Sequence, residues 1–268
     1  MASAYLCRFF LGVLLLSYSM LAAAKPHFPQ SLVYAGKPID SLCFSNPEKT
    51  IDLRRCGAEH EKYIVKNART DLNKKGYIGY EWTDSSMPSG PQGYSYYKYF
   101  SAGNNQFWIY AINNGGGSGN FTSLYLVKRL NASALNVQAI AAGDRCNGGI
   151  QDVAVRNHEL TFSVNLTPYD LVALAHSQTN NLKAYDDLAA CAVCCTARAF
   201  YSTDISTRLG FSYAGLDKIN SASEMPEQGR YQACFNKLLF SYIKKNKIML
   251  NSKEVDAFVD QFKHVCIP

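Results

Sequence analysis

The chain has 268 residues, 47% hydrophobic, 18% charged and 13% aromatic, a composition that supports a buried core and excludes a disordered tail or a collagen-like repeat. The formal net charge of +6 is modest and no nucleic-acid-binding module accompanies it, so nucleic acid is not an expected partner.

Residues 1–24 carry the pattern of an export signal. Arg8 precedes the apolar run from Phe9 to Leu16, and Ala22-Ala23-Ala24 place small residues before Lys25. Ser17, Tyr18 and Ser19 interrupt the apolar stretch, short of the roughly twenty residues that cross a bilayer. A cleaved signal peptide is therefore expected, with a secreted or periplasmic mature chain that has no membrane span.

Residues 25–75 form an N-terminal segment in which Cys43 and Cys56 are close enough to pair across a short loop. From Ala58 to Lys75 the spacing of Ile64, Ala68 and Leu72 predicts one basic amphipathic helix, with Lys62, Lys66 and Arg69 on another face and Gly76 as its stop.

Residues 76–166 read as an antiparallel β region. Strands are expected at 77–82, 94–100, 106–112, 121–130, 135–141, 150–156 and 159–166, joined by short turns in a meander of six or seven strands. The glycine-rich run 114–120 resembles a phosphate-binding loop only superficially. It lacks a Gly-Lys-Ser/Thr ending and leads into a strand, as a wide hairpin turn does.

Aromatic residues crowd the first half of this sheet. If Phe100 opposes Gln106, then Lys98 faces Trp108 and Tyr96 faces Tyr110, and all four side chains project from one face while Phe107, Ile109 and Ala111 point into the core. Rigid rings with polar tips suit a sugar ring or a protein hot spot, so Tyr96, Lys98, Trp108 and Tyr110 are the candidate binding residues.

Residues 167–268 read as helical and docked on the sheet in one domain. Thr167-Pro168-Tyr169-Asp170 starts one helix with a capping hydroxyl and a proline at its first position. Apolar stripes around Phe235 and Phe258 mark two more, the last capped by Asn251 and Glu254.

After Cys7, eight cysteines remain: Cys43, Cys56, Cys146, Cys191, Cys194, Cys195, Cys234 and Cys266. An even number in an exported chain predicts a disulfide framework. Placed on a helix, Cys191, Cys194 and Cys195 share one face, which Cys146, Cys234 and Cys266 are expected to meet; the partners within that cluster stay open. Cys191-Ala192-Val193-Cys194 also has the spacing of thiol oxidoreductases, but a position inside a helix argues for a staple. No second doublet accompanies it, so no zinc site is expected.

Catalytic templates fail elsewhere. His60-Glu61 begins a zincin-like motif that Ile64 breaks, and His27, His158, His176 and His264 show no ligand spacing. Neither metal nor cofactor is expected. Asn120, Asn131 and Asn165 head glycan-acceptor triplets. The fold class is α+β, an antiparallel meander with an N-terminal helix and a disulfide-stapled helical layer. The function expected is a binding or inhibitory protein for a glycan or protein partner. A glycosidase-like hydrolase using carboxylates such as Glu81, Asp84, Asp144 or Asp152 is the alternative, and a structural surface protein is a third.

Overall fold

The computed structural model describes residues 28–45, 47–56, 63–67, 69–84, 92–175, 181–218 and 225–268. The signal sequence expected over 1–24 lies outside them.

The chain enters through single 3-10 turns at Gln30–Leu32 and Ser41–Phe44, with a small hairpin of β1 (Val33–Tyr34) and β2 (Lys37–Pro38) between them. The first large sheet uses β3 (Thr50–Asp52), β4 (Tyr63–Asn67), β5 (Ile78–Asp84), β6 (Gln92–Gly103), β7 (Gln106–Asn114), β8 (Phe121–Asn131) and β9 (Ala134–Gly143). Its order is β3-β9-β8-β7-β6-β5-β4, so β4 to β9 form an unbroken antiparallel meander and β3 adds to the far edge. The expected strands of this region are all present. Asn104 and Asn105 close the β6–β7 turn with φ of 51° and 57°, a conformation that asparagine tolerates and that matches strand twist.

The meander does not run on through residue 166 as one sheet. After the short helix α2 (Arg145–Gly148), β10 (Ile150–Arg156) and β11 (Glu159–Leu166) open a second antiparallel sheet, completed by β12 (Ala197–Thr203), β13 (Gly210–Leu216) and β14 (Met249–Leu250) in the order β10-β11-β12-β13-β14. The stretch read as helical therefore contains three strands besides α3 (Pro168–Ala173), α4 (Gln232–Lys244) and α5 (Ser252–Cys266). The alanine-rich sequence around residues 188–199 favours helix locally, and pairing of β12 between β11 and β13 overrides that preference.

The expected helix over 58–75 is also corrected. Residues 63–67 are strand β4 on the edge of β5, and among the described residues of that range only α1 (Thr70–Lys74) is helical. Tyr63, Ile64 and Val65 suit a pleated surface, and an available sheet edge outweighs their weaker helical spacing. The stop is as expected: Gly76 takes φ +80° and its N–H bonds to the Asn73 carbonyl.

Both faces of the first sheet are covered over most of their extent. On one, Tyr97, Ile109, Ala111, Tyr125 and Val127 pack beneath Leu32, Ile39 and Phe44 of the N-terminal segment. On the other, Trp108, Tyr110, Leu124 and Leu126 meet Ile150, Leu160 and Phe162 of the second sheet. The same side of the second sheet continues through Leu166, Ala197, Ala199 and Ala214 into contact with Phe235, Phe258 and Phe262 of the helices. Phe235 meets Phe258 and Phe262 edge-on with centroids 5.6 Å apart in each case. The expected caps are in place. Thr167 and Asp170 form a reciprocal capping box on α3, and Asn251 and Glu254 form one on α5 with bonds of 3.1 and 2.9 Å.

Four disulfides staple this architecture: Cys43–Cys56, Cys146–Cys195, Cys191–Cys194 and Cys234–Cys266. The local Cys43–Cys56 bridge agrees with expectation. The meeting of Cys234 and Cys266 with the Cys191 cluster does not occur; these two join α4 to α5 instead. Cys191, Cys194 and Cys195 lie in an irregular turn before β12, not on a helix face. The geometry from which three outward partners were expected is therefore absent.

Candidate functional site

The four aromatic-hairpin residues share a face, as expected, but that face is interior. Phe100 opposes Trp108 and Lys98 opposes Tyr110, a shift of two residues produced by the irregularity between Ser101 and Gly103. An even shift preserves sidedness. Trp108 and Tyr96 have no exposed surface and Tyr110 only 9%, because β10 and β11 and the Arg69 backbone close over them. The Tyr110 hydroxyl donates to the Ile150 carbonyl at 2.9 Å, and the Tyr96 hydroxyl accepts the Arg69 N–H at 2.8 Å. Burial pushes both hydroxyls above the ordinary tyrosine range. Lys98, half-exposed at the margin, sets its ammonium 5.8 Å from the Tyr77 ring and 5.4 Å from the Phe100 ring. The open contact surface expected of these residues is thus a core between two sheets.

The opposite side of the first sheet does open to solvent at one end. There a cleft of 810 Å³ lies between the strands and the disulfide-pinned segment 42–56, and its lining includes Trp82, Asn113, Phe121, Glu48, Asp52 and Arg55. Trp82 on β5 pairs with Gly93 on β6, and a Cβ at Gly93 would collide with the indole, so the glycine is what lets the ring lie down on the sheet. Phe121 opens β8 directly opposite Asn113 and remains 51% exposed. The Asn113 Oδ1 accepts the Ser95 hydroxyl at 2.7 Å, which fixes the amide plane and leaves its N–H₂ without an acceptor among the described residues.

The glycine-rich turn beside the cleft is organised by Asn114. Its amide donates to the carbonyls of Gly117 and Gly119 at 2.9 and 2.8 Å and accepts the Gly116 N–H at 2.7 Å, so the run is the wide hairpin turn expected. Beneath the other rim, Cys43–Cys56 holds the loop that carries Asp52. That carboxylate accepts the Arg54 guanidinium at 3.0 and 2.9 Å and the Arg54 N–H at 3.0 Å, and these bonds hold it below the usual carboxylate range.

Of the carboxylates named as hydrolase candidates, Glu81 and Asp152 lie away from this cleft. Glu81 lies 3.6 Å from Arg69, while Asp152 stands on the second sheet, accepting the Ser163 hydroxyl at 2.8 Å and facing Arg198 at 3.4 Å. Of the acceptor asparagines, Asn131 is exposed in the β8–β9 turn, Asn120 is half-buried against the Tyr94 hydroxyl, and Asn165 is 8% exposed. A second groove, 730 Å³, runs between the hairpin ends at Gly103-Asn104, Asn157-His158 and residues 204–208. A third, 290 Å³, lies on the outer face of the second sheet by Cys146, Asn165, Arg198 and Asp217. Sequence reasoning placed Trp82 and Phe121 in strands without singling them out. Their spacing resembles that of core residues, and the pairing of Trp82 with Gly93 is visible only in the structure.

Fold and site together define a disulfide-stapled, two-sheet α+β protein with an aromatic-walled cleft. Comparison with protein-family models, with curated proteins and with solved structures finds no match.

Proposed function

We propose that the chain is an exported, disulfide-stabilised binding protein that holds a glycan in the cleft between Trp82 and Phe121. The observation that carries this reading is the Asn113 amide, oriented by Ser95, with Phe121 directly opposite it on the next strand and Trp82 lining the same cleft from β5. Apolar ring faces accept the C–H surface of a pyranose, and a fixed amide donates to its hydroxyls; Arg55 and Glu48 at the rim add polar selectivity. Export is supported by the signal-like residues 1–24 and by four disulfides, which suit an oxidising compartment. The carboxylate hydrolase has less support, because Asp52, in the cleft, is held below the usual carboxylate range by its bonds to Arg54, which suits a fixed charge and not a proton donor.

The test is titration of the oxidised mature protein with a panel of soluble oligosaccharides, followed by intrinsic tryptophan fluorescence and calorimetry. One class of saccharide should bind, and Phe121→Ala and Asn113→Ala should each weaken it at least about tenfold, the loss of roughly one good contact, with little change in Tm. Wild-type affinity retained in both variants, or no saccharide binding at millimolar concentration, overturns the reading.

A further inference from the structure

The Cys191-Ala192-Val193-Cys194 turn has the spacing of a dithiol motif, and the structure removes the helix that argued for a staple. Three of the four bridges join separate parts of the fold, with sequence separations of 13, 49 and 32 residues. Cys191–Cys194 spans a separation of only 3, with Cα atoms 5.4 Å apart, and joins no two elements. A cross-link restricts the unfolded chain less as its loop shortens, so this bridge contributes least to stability.

The turn keeps its place by other means. The Cys146 N–H donates to the Ala192 carbonyl at 2.6 Å, the Cys194 N–H to the Cys191 carbonyl at 3.4 Å, and the Thr196 N–H to the Leu166 carbonyl at 2.9 Å. Leu188, Ala189 and Ala190 before it are buried, and Cys195 after it is bonded to Cys146. Its tip, by contrast, is in solvent. Ala192 is exposed, Val193 is 84% exposed, Cys191 is half-buried and Cys194 only 8% exposed. A partly exposed cysteine beside a shielded one at a solvent-facing turn suits thiol–disulfide exchange, in which the attacking thiolate reaches one sulfur in line and expels the other.

We infer that Cys191–Cys194 is a solvent-facing thiol–disulfide exchange site whose co-substrate is a dithiol, either a dithiol protein or a small-molecule dithiol. A thiolate of the dithiol attacks Cys191 Sγ, the S–S bond breaks, and Cys194 leaves as a thiolate that takes a proton from water. The second thiol of the reductant then attacks its own sulfur in the mixed disulfide and expels Cys191. Two electrons pass to the protein, and the reductant departs as a disulfide. The neighbouring Cys146–Cys195 bridge, which lines the 290 Å³ pocket, is untouched.

Stepwise reduction of the native protein with dithiothreitol, quenched with an alkylating maleimide and mapped by peptide mass spectrometry, tests this. Labels should appear at Cys191 and Cys194 at a reductant concentration at least about tenfold below that which opens any other bridge, as expected where one bond is both more accessible and less stabilising. The Cys191→Ser/Cys194→Ser double variant should fold with the other three bridges intact, a Tm close to that of the wild type, and no early labelling. First labelling at another bridge, opening of all four together, or failure of the double variant to form the remaining three overturns the inference. None of these outcomes depends on the saccharide titration.

Discussion

Asp187 accepts two hydrogen bonds from the Arg230 guanidinium, 2.7 Å from Nη2 and 3.1 Å from Nε, and thereby fastens the irregular stretch before β12 to the entrance of α4. The other carboxylate oxygen takes the Lys183 N–H at 2.9 Å. Parallel backbone bonds run from Arg230 to Asp186 and from Tyr231 to Asp187, and the Ala189 N–H donates to Gln232 Oε1 at 2.8 Å. The Lys183 N–H first, and Arg230 after it, hold the Asp187 carboxyl below its ordinary value of 3.8. A depressed carboxyl stabilises the fold above its unfolded value and loses that contribution as pH falls through its folded value. Asp187→Ala is expected to cost about 2 kcal/mol near neutral pH, a charge-assisted pair lost with its buried acceptor. The gap in Tm between variant and wild type should close as the pH drops below 3.8; a gap independent of pH would show that the carboxylate charge is not what matters.

Asp217, just past β13, has the opposite sign. Burial raises its carboxyl above 3.8, against a smaller lowering by Arg198. A group whose folded pKa is raised stabilises the fold at low pH, and the contribution disappears as pH climbs through the folded value. Asp217→Asn should therefore raise Tm at pH 7 and give no gain in acid, as thermal melts across the range will show.

Two tyrosines on opposite sides of the first sheet should respond differently to loss of their hydroxyls. Burial pushes both above the ordinary tyrosine range. Tyr110 has a partner in the Ile150 carbonyl, whereas the Tyr97 hydroxyl has none among the described residues. Tyr110→Phe should destabilise by about 1 kcal/mol and Tyr97→Phe should be neutral or stabilising by a similar amount, because an unsatisfied buried donor costs free energy that phenylalanine does not. Urea denaturation resolves such a difference, and equal losses in the two variants would count against it.

Gly93→Ala forces Trp82 off the sheet. Trp108 is fully buried and reports little, so a red shift in tryptophan emission should come from Trp82 moving into water. The same variant should weaken saccharide binding at the cleft. An unchanged spectrum would show that the indole accommodates the methyl group where it lies.

The sequence by itself determined much of the local structure. Alternation marked β5 to β11, Thr167-Pro168 and Asn251 with Glu254 marked helix starts, and the aromatic side chains were sorted correctly into two faces of β6 and β7. These features depend on a few neighbouring residues, through the period of two along a strand and the hydrogen bonds of a first helical turn. Tertiary structure alone decided which face meets water. Tyr96, Trp108 and Tyr110 would suit a ligand as well as a core, and the folding of β10 and β11 across them settled the matter. It also turned residues 63–67 from a helical spacing into an edge strand, because β5 offered unpaired backbone groups there. The cysteines show the same division: their even number pointed to bridges, whereas the pairing of Cys234 with Cys266 followed from the packing of α4 against α5. Periodicity records what a side chain shares with residues two or four positions away. Burial, register and pairing are set by contacts tens of residues distant, whose closure no local pattern encodes.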